Sequence, residues 1–131
     1  MLFSALNTSG DGLTADQFWM DVISNNLANS QTSETPQGGP FREQLVELSA
    51  VPLQAGGQGG VVVSGVVGSA APFPQQYDPG SPLANAQGYV AMSNVDVTGQ
   101  MVDLLAASRA YQANATVFSD LVKEEQAGLQ I

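Results

Sequence analysis

The sequence predicts an α+β chain in which two long helices, one at each end, pair as an antiparallel coiled coil with a small β-rich insert between them. Three observations carry that expectation. From Val97 onward, Val97, Met101, Leu104, Ser108, Tyr111, Ala115, Phe118 and Val122 follow at alternating intervals of four and three residues. That is the rhythm of a coiled-coil seam. Near the start, Leu6, Leu13, Met20 and Leu27 fall seven residues apart. Between these segments the pattern changes to short β-branched runs bounded by glycine and proline. The chain divides accordingly into an N-terminal core helix (1–29), a linker with the insert (30–93) and a C-terminal core helix (94–131).

The N-terminal helix spans about Leu2 to Asn29, with Phe3, Val22 and Ile23 widening its apolar stripe. Its weak point is Ser9-Gly10-Asp11-Gly12, because each glycine costs about 1 kcal/mol relative to alanine inside a helix. Two readings stand open there. The helix breaks, in which case Thr14-Ala15-Asp16-Gln17 supplies a capping box for a second start. Or it continues, and the glycines let another helix approach closely. The helix ends in Asn25-Asn26-Leu27-Ala28-Asn29, followed by Thr32. Asparagine favours caps and turns. The run either simply terminates the helix or offers its amides to backbone and neighbours.

Thr35-Pro36-Gln37-Gly38-Gly39-Pro40 is a turn-rich linker. The runs Leu45–Val51 and Val61–Val67 predict a β-hairpin joined through the glycine-rich Ala55–Gly60 loop. That loop lacks the spacing of a phosphate cradle. Residues 68–88 are expected to be irregular, with a tight turn at Tyr77-Asp78-Pro79-Gly80-Ser81-Pro82. Gly88–Met92 returns as a third extended run. The insert is expected to stand at one end of the helical pair, like a flag on a pole.

The C-terminal helix is expected from about Val95 to Ala127, capped by Asn94 or Asp96 and closed at Gly128. At 1.5 Å per residue it reaches on the order of 50 Å. Arg109 sits among Ala106, Ala107 and Ala110 in its middle. It is either a solvated helix arginine or a donor to a neighbouring subunit in a close-packed helix array.

Composition excludes much chemistry. The 131 residues contain no cysteine and no histidine. Disulfides, thiolate nucleophiles and the commonest general base are therefore absent. Three basic residues against twelve acidic ones give a net charge of −9, which argues against nucleic acid and anionic membrane surfaces. The acidic residues are scattered, so neither a metal site nor a paired-carboxylate hydrolase is expected, and no cofactor or enzymatic activity is assigned. Asn7-Thr8-Ser9 and Asn114-Ala115-Thr116 match glycosylation sequons but lie in expected helices. No run is apolar for long enough to span a membrane, and no basic-then-apolar leader is visible. Only 11% of residues are charged, against about 25% in an ordinary soluble domain. Such a surface suits a subunit packed on several sides.

At these residues the chain resembles a family. Asn25-Asn26-Leu27-Ala28-Asn29 with Thr32 is similar to the N-terminal motif of the bacterial flagellar axial proteins (rod, hook and hook-associated). Gly38–Arg42, Tyr77–Pro82, Gly88-Tyr89-Val90 and Asn94-Val95-Asp96-Val97 resemble the proximal rod proteins among them. Met101 to Asn114, with Arg109, Tyr111 and Asn114, is similar to the family's C-terminal signature. The chain departs from the usual pattern at Ser30-Gln31, Ser93 and Gly99-Gln100. The resemblance implies a structural subunit of the proximal rod in the flagellar basal body. It implies as partners other rod subunits, copies of itself, the inner-membrane ring with its rod-base adapter, and the flagellar type III export apparatus. It further implies an uncleaved export signal and terminal helices that order on assembly. The seam residues expected to mediate assembly are Leu6, Leu13, Met20, Leu27, Val97, Met101, Leu104, Tyr111, Phe118 and Val122. The alternative is a coiled-coil adapter or a needle-like structural protein of a secretion apparatus.

Overall fold

The computed structural model describes residues 2–52 and 59–130. Helix α1 (Leu2–Ala28) and helix α2 (Val97–Leu129) bracket four strands: β1 (Gln44–Val51), β2 (Gly60–Gly68), β3 (Gln75–Tyr77) and β4 (Tyr89–Ala91). The architecture is thus α+β, as the periodicities indicate.

Helix α1 runs unbroken through Gly10 and Gly12. Thr14 does not start a helix. Its hydroxyl donates back to the Gly10 carbonyl at 3.1 Å, as hydroxyls inside helices do. The reason for continuity is visible at Gly12. A Cβ built there would lie 2.9 Å from Asn114 Nδ2, so Gly12 is where α2 comes close. Gly10, by contrast, faces open space.

β1 and β2 form the expected antiparallel hairpin, Leu45 opposite Val67 and Ser49 opposite Val62. The register shifts between Glu47 and Leu48, leaving Ser64 as the extra residue of a bulge. Its hydroxyl donates to the Glu47 carbonyl at 3.1 Å. The Ala55–Gln58 part of the expected loop lies outside the described residues.

The hairpin does not stand off one end of the helices. It lies along α1: Gln44 sits beside Asn26, while at the other end Thr8 Oγ1 donates to the Gly59 carbonyl at 2.9 Å. Val61, Val62 and Val63 face Ala15 and Phe18 across a cleft of about 280 Å³. A valine-rich ribbon left in solvent would bury almost nothing. Laid along a helix, it covers part of one face.

The second correction concerns residues 68–88. Gln75–Tyr77 is a strand, paired antiparallel with Tyr89–Ala91. The Tyr77 and Tyr89 rings meet edge to face at 5.3 Å between centroids. The turn at Asp78 forms as expected, with Ser81 N–H donating to the Asp78 carbonyl at 3.1 Å. A third difference lies at the C-terminus. Helix α2 continues through Gly128 to Leu129, and Gln130 caps it in a right-handed conformation. Nothing packs near Gly128 to impose a left-handed turn.

Among the described residues the fully buried apolar set is small: Ala15, Val22, Ile23, Val90 and Ala107. Ser9, Asn26, Ser69, Ser93, Asn94 and Gln100 are buried polar residues beside them. A subunit whose interior is as polar as it is apolar relies on hydrogen bonds to fix its geometry, and it leaves most of its apolar surface unspent.

Candidate functional site

The buried polar residues converge where the end of α1, the start of β1 and the start of α2 meet. Asn26 is 1% exposed. Its Oδ1 accepts the Gln44 backbone N–H at 2.9 Å, and its Nδ2 donates to the Gln44 carbonyl at 2.8 Å. The side-chain amide thereby acts as a peptide neighbour to the first residue of β1. The second Nδ2 proton reaches Gln100 Oε1 on α2 at 3.0 Å. Gln100 Nε2 in turn donates to Glu43 Oε1 at 2.8 Å. Glu43 N–H donates to Asn94 Oδ1 at 2.6 Å, and Asn94 Nδ2 donates to the Ala71 carbonyl at 2.9 Å. No buried side-chain nitrogen or oxygen among the described residues lacks a partner. A fully satisfied network of this kind specifies one arrangement.

Arg42 closes the same region from outside. Its guanidinium donates to the Ser69 carbonyl at 2.6 Å and lies 4.3 Å from the centre of the Phe73 ring. Asn94 is committed to the network, and Asp96 is the N-cap residue of α2, which begins at Val97. The Asp96 carbonyl accepts the Gln100 N–H at 2.8 Å, and its carboxylate accepts no capping bond.

The family-motif residues are split by the fold. Asn26 is the hub just described. Asn25 donates to Gln44 Oε1 at 3.2 Å. Asn29 stays local: its amide donates to the Asn25 carbonyl at 2.9 Å, and its Oδ1 accepts from Thr32 Oγ1 at 3.2 Å. Asn114 donates to Asp16 Oδ2 at 2.8 Å, about four turns along α2 from Gln100. Tyr111 is half-buried and Arg109 exposed.

The expected seam is only partly inward. Leu6, Leu13, Met20, Leu27, Leu104, Tyr111 and Val122 are half-buried, whereas Val97, Met101 and Phe118 are exposed. The two fully buried residues of α2, Gln100 and Ala107, lie on a stripe Gln100, Leu104, Ala107, Tyr111, Asn114 that shares Leu104 and Tyr111 with the expected seam, whose Ser108, Ala115 and Val122 are half-buried beside it. Contacts descend α1 as they ascend α2, Asn26 meeting Gln100 and Asp16 meeting Asn114. Gln100, Glu43, Gln44 and Asn94 were not identified as site residues from sequence. For Gln100 the one signal is its place in that stripe, where hydropathy ranks Gln100 and Asn114 low because their partners are not local; Glu43, Gln44 and Asn94 lie outside α2.

The α1–β2 cleft has mainly apolar walls, and among the described residues no group of three histidines, cysteines or carboxylates could hold a metal ion.

Comparison with known proteins covers about nine-tenths of the chain. The family model described as "Flagella basal body rod protein" matches residues 6–33, and that described as "Flagellar basal body rod FlgEFG protein C-terminal" matches residues 86–129. The chain is 43% identical over 120 residues to the flagellar basal-body rod protein FlgC of Salmonella typhimurium, covering 90% of this chain and 88% of that one. It is 42% identical over 118 residues to FlgC of Escherichia coli O157:H7, with the same coverage. It is 39% identical over 133 residues to FlgC of Bacillus subtilis, covering 89% of each. The first model ends just beyond Thr32 and the second contains Gln100 and Asn114, so the two matched segments are those joined at the buried junction.

Proposed function

Because this chain belongs to the FlgC family of flagellar basal-body rod proteins, and is a structural subunit of that rod rather than an enzyme, we propose that it builds the proximal rod by packing its terminal helices against those of neighbouring subunits. The observation that carries this reading is the outer face of α2. Met101, Val102 and Leu105 are 55%, 60% and 63% exposed. Leu105 stands about 200° round the helix from the fully buried Ala107, on the side away from the covered stripe. Contiguous apolar surface of this kind on one helix marks an interaction site.

In this reading segments 1–29 and 94–131 form an antiparallel coiled-coil stave, and segment 30–93 decorates its outside. Val97, Met101 and Phe118, exposed in the single subunit, are covered by copies of the chain or by other rod subunits. Arg109 supplies the polar part of that contact. It is exposed and has no hydrogen bond or ion pair among the described residues, on a chain of net charge −9. Packed helices transmit torque because close-packed interiors deform little. At its base the rod meets the inner-membrane ring and its adapter. The subunit arrives through the flagellar type III apparatus, with its export signal in the N-terminal region.

Deletion of the gene, followed by electron microscopy of basal bodies and a motility assay, tests the reading. Rings without a rod are expected, and intact rods overturn it. Restoring the strain with Leu105→Glu or Arg109→Glu separates the outer face from the fold: stable protein without rods is the expected result.

A further inference from the structure

The contact between Asp16 and Asn114 sets the height of one helix against the other. Asp21 stands five residues along α1 from Asp16, and Arg109 stands five residues back along α2 from Asn114. The helices are antiparallel, so both steps rise toward the same end, by about 7.5 Å. Each step also turns about 500°, which sets each side chain about 140° round from the contact with the other helix. Asp21 and Arg109 therefore lie near one height on opposite outer sides of the helical pair. Counted from the Asn26–Gln100 contact their heights differ by four residues, about 6 Å, a difference that the long arginine side chain spans. Both residues are exposed, and neither has a hydrogen bond or ion pair among the described residues. Arg42 is spent on the Ser69 carbonyl and the Phe73 ring, and Lys123 lies 3.6 Å from Asp120. Of the three basic residues, Arg109 alone has a charge that the described residues leave unanswered.

We infer that copies of this chain pack side by side in one direction, the outer face of α2 on one copy against the outer face of α1 on the next, with Arg109 of the first paired to Asp21 of the second. The inference deepens the rod reading and rests on it for the close packing of copies. Charge selects the occupant. Covering Arg109 without an acceptor would strand a charge away from water. A second copy offers a free carboxylate at the matching height, and a carboxylate takes the arginine fork in two parallel bonds. Brought together at this level, two α2 faces would oppose arginine to arginine, and two α1 faces aspartate to aspartate. On a chain of net charge −9 copies repel one another in general, so one matched pair weighs in deciding which faces meet. The same docking brings Met101, Val102 and Leu105 over the last two turns of α1, where Ser24 and Ala28 are small and exposed. Because the two faces lie on opposite sides of the subunit, the contact is heterologous. It repeats from copy to copy instead of closing on a dimer.

Charge reversal in cells tests the pair. In a strain deleted for the gene, full-length Arg109→Asp and Asp21→Arg should each cut the yield of rods in isolated basal bodies by about tenfold or more, and the double variant should recover to within about threefold of the parent. Circular dichroism of each purified variant should match the parent, since both side chains are exposed. A second readout uses the absence of cysteine from the chain. Asp21→Cys and Arg109→Cys, co-expressed as single variants, should give disulfide-linked dimers in oxidised rods, and either one alone should give none. Parental rods from either reversal would overturn the pairing. So would rods that assemble from the cysteine variants without linked dimers. A double variant no better than the singles would also overturn it, and would point to another rod subunit as the occupant facing Arg109. These outcomes leave the rod reading standing, since that reading fails only if basal bodies keep their rods when the gene is deleted.

Discussion

The carboxamide of Asn26 holds both backbone polar groups of Gln44, accepting its N–H at 2.9 Å and donating to its carbonyl at 2.8 Å. A side chain at the end of one helix thus serves as the strand neighbour that β1 lacks on that edge. Replacing it by leucine strands a backbone donor, a backbone acceptor and the Gln100 carbonyl oxygen in a buried site. Asn26→Leu is therefore expected to destabilise the subunit by roughly 2–4 kcal/mol, read as a lowered urea midpoint. Asn26→Asp keeps an acceptor for the Gln44 N–H but sets a carboxylate against two oxygens, and it should also destabilise. Stability equal to the parent in either variant would contradict this account.

The two glycines of α1 should respond in opposite directions to alanine. At Gly10 the new methyl meets nothing within 4 Å, so Gly10→Ala should stabilise by about 0.5–1 kcal/mol through helix propensity and lost unfolded-state freedom. At Gly12 the methyl would sit 2.9 Å from Asn114 Nδ2 and 3.2 Å from its Cγ. That displaces the Asn114 side chain from Asp16, offsetting the propensity gain and costing about 1 kcal/mol net. Thermal melts of the two variants, compared with the parent, check the sign at each position.

Gly88 combines a backbone demand with a packing one. Its φ is +86°, and a Cβ would meet Tyr77 Cε2 at 3.0 Å and Pro79 Cβ at 3.1 Å. Gly88→Ala should cost about 1–2 kcal/mol from the left-handed backbone alone, and should in addition disturb the Tyr77–Tyr89 edge contact. Near-ultraviolet circular dichroism of the tyrosines is the local readout. The far-ultraviolet signal of the helices should be retained.

On α2 the inner and outer faces should part company. Ala107 is wholly buried, so Ala107→Leu overpacks the site and should cost about 1–3 kcal/mol in the purified subunit. Leu105 is 63% exposed, so Leu105→Glu should change subunit stability by no more than about 0.5 kcal/mol. The same substitution should abolish swimming on soft agar. Swimming at the parental rate with Leu105→Glu would remove the outer face from the assembly surface.

The elements that periodicity encodes were legible. Leu6, Leu13, Met20 and Leu27 announce α1, the four-and-three series announces α2, and Val61–Val67 between glycines announces a strand. Each pattern repeats within a few residues, so each can be read locally. The Asn-rich end of α1 and the run from Met101 to Asn114 also sufficed for the family, because they are contiguous. β3 was not legible. Gln75–Tyr77 is three residues long and lies among prolines, and it becomes a strand only because Tyr89–Ala91 comes alongside.

What the sequence by itself determined is the order of elements, the α+β class, the poverty of catalytic groups and the membership in a family of rod subunits. The tertiary structure alone decided which stripe of α2 turns inward, that the hairpin lies along α1, and that Asn26, Gln100 and Glu43 meet. The physical reason is the same in each case. A heptad read by hydropathy favours Met101 over Gln100, since burying an amide without a partner is costly. Gln100 is buried because its two partners, Asn26 and Glu43, arrive from 74 and 57 residues away in the chain. No local pattern records a partner at that distance.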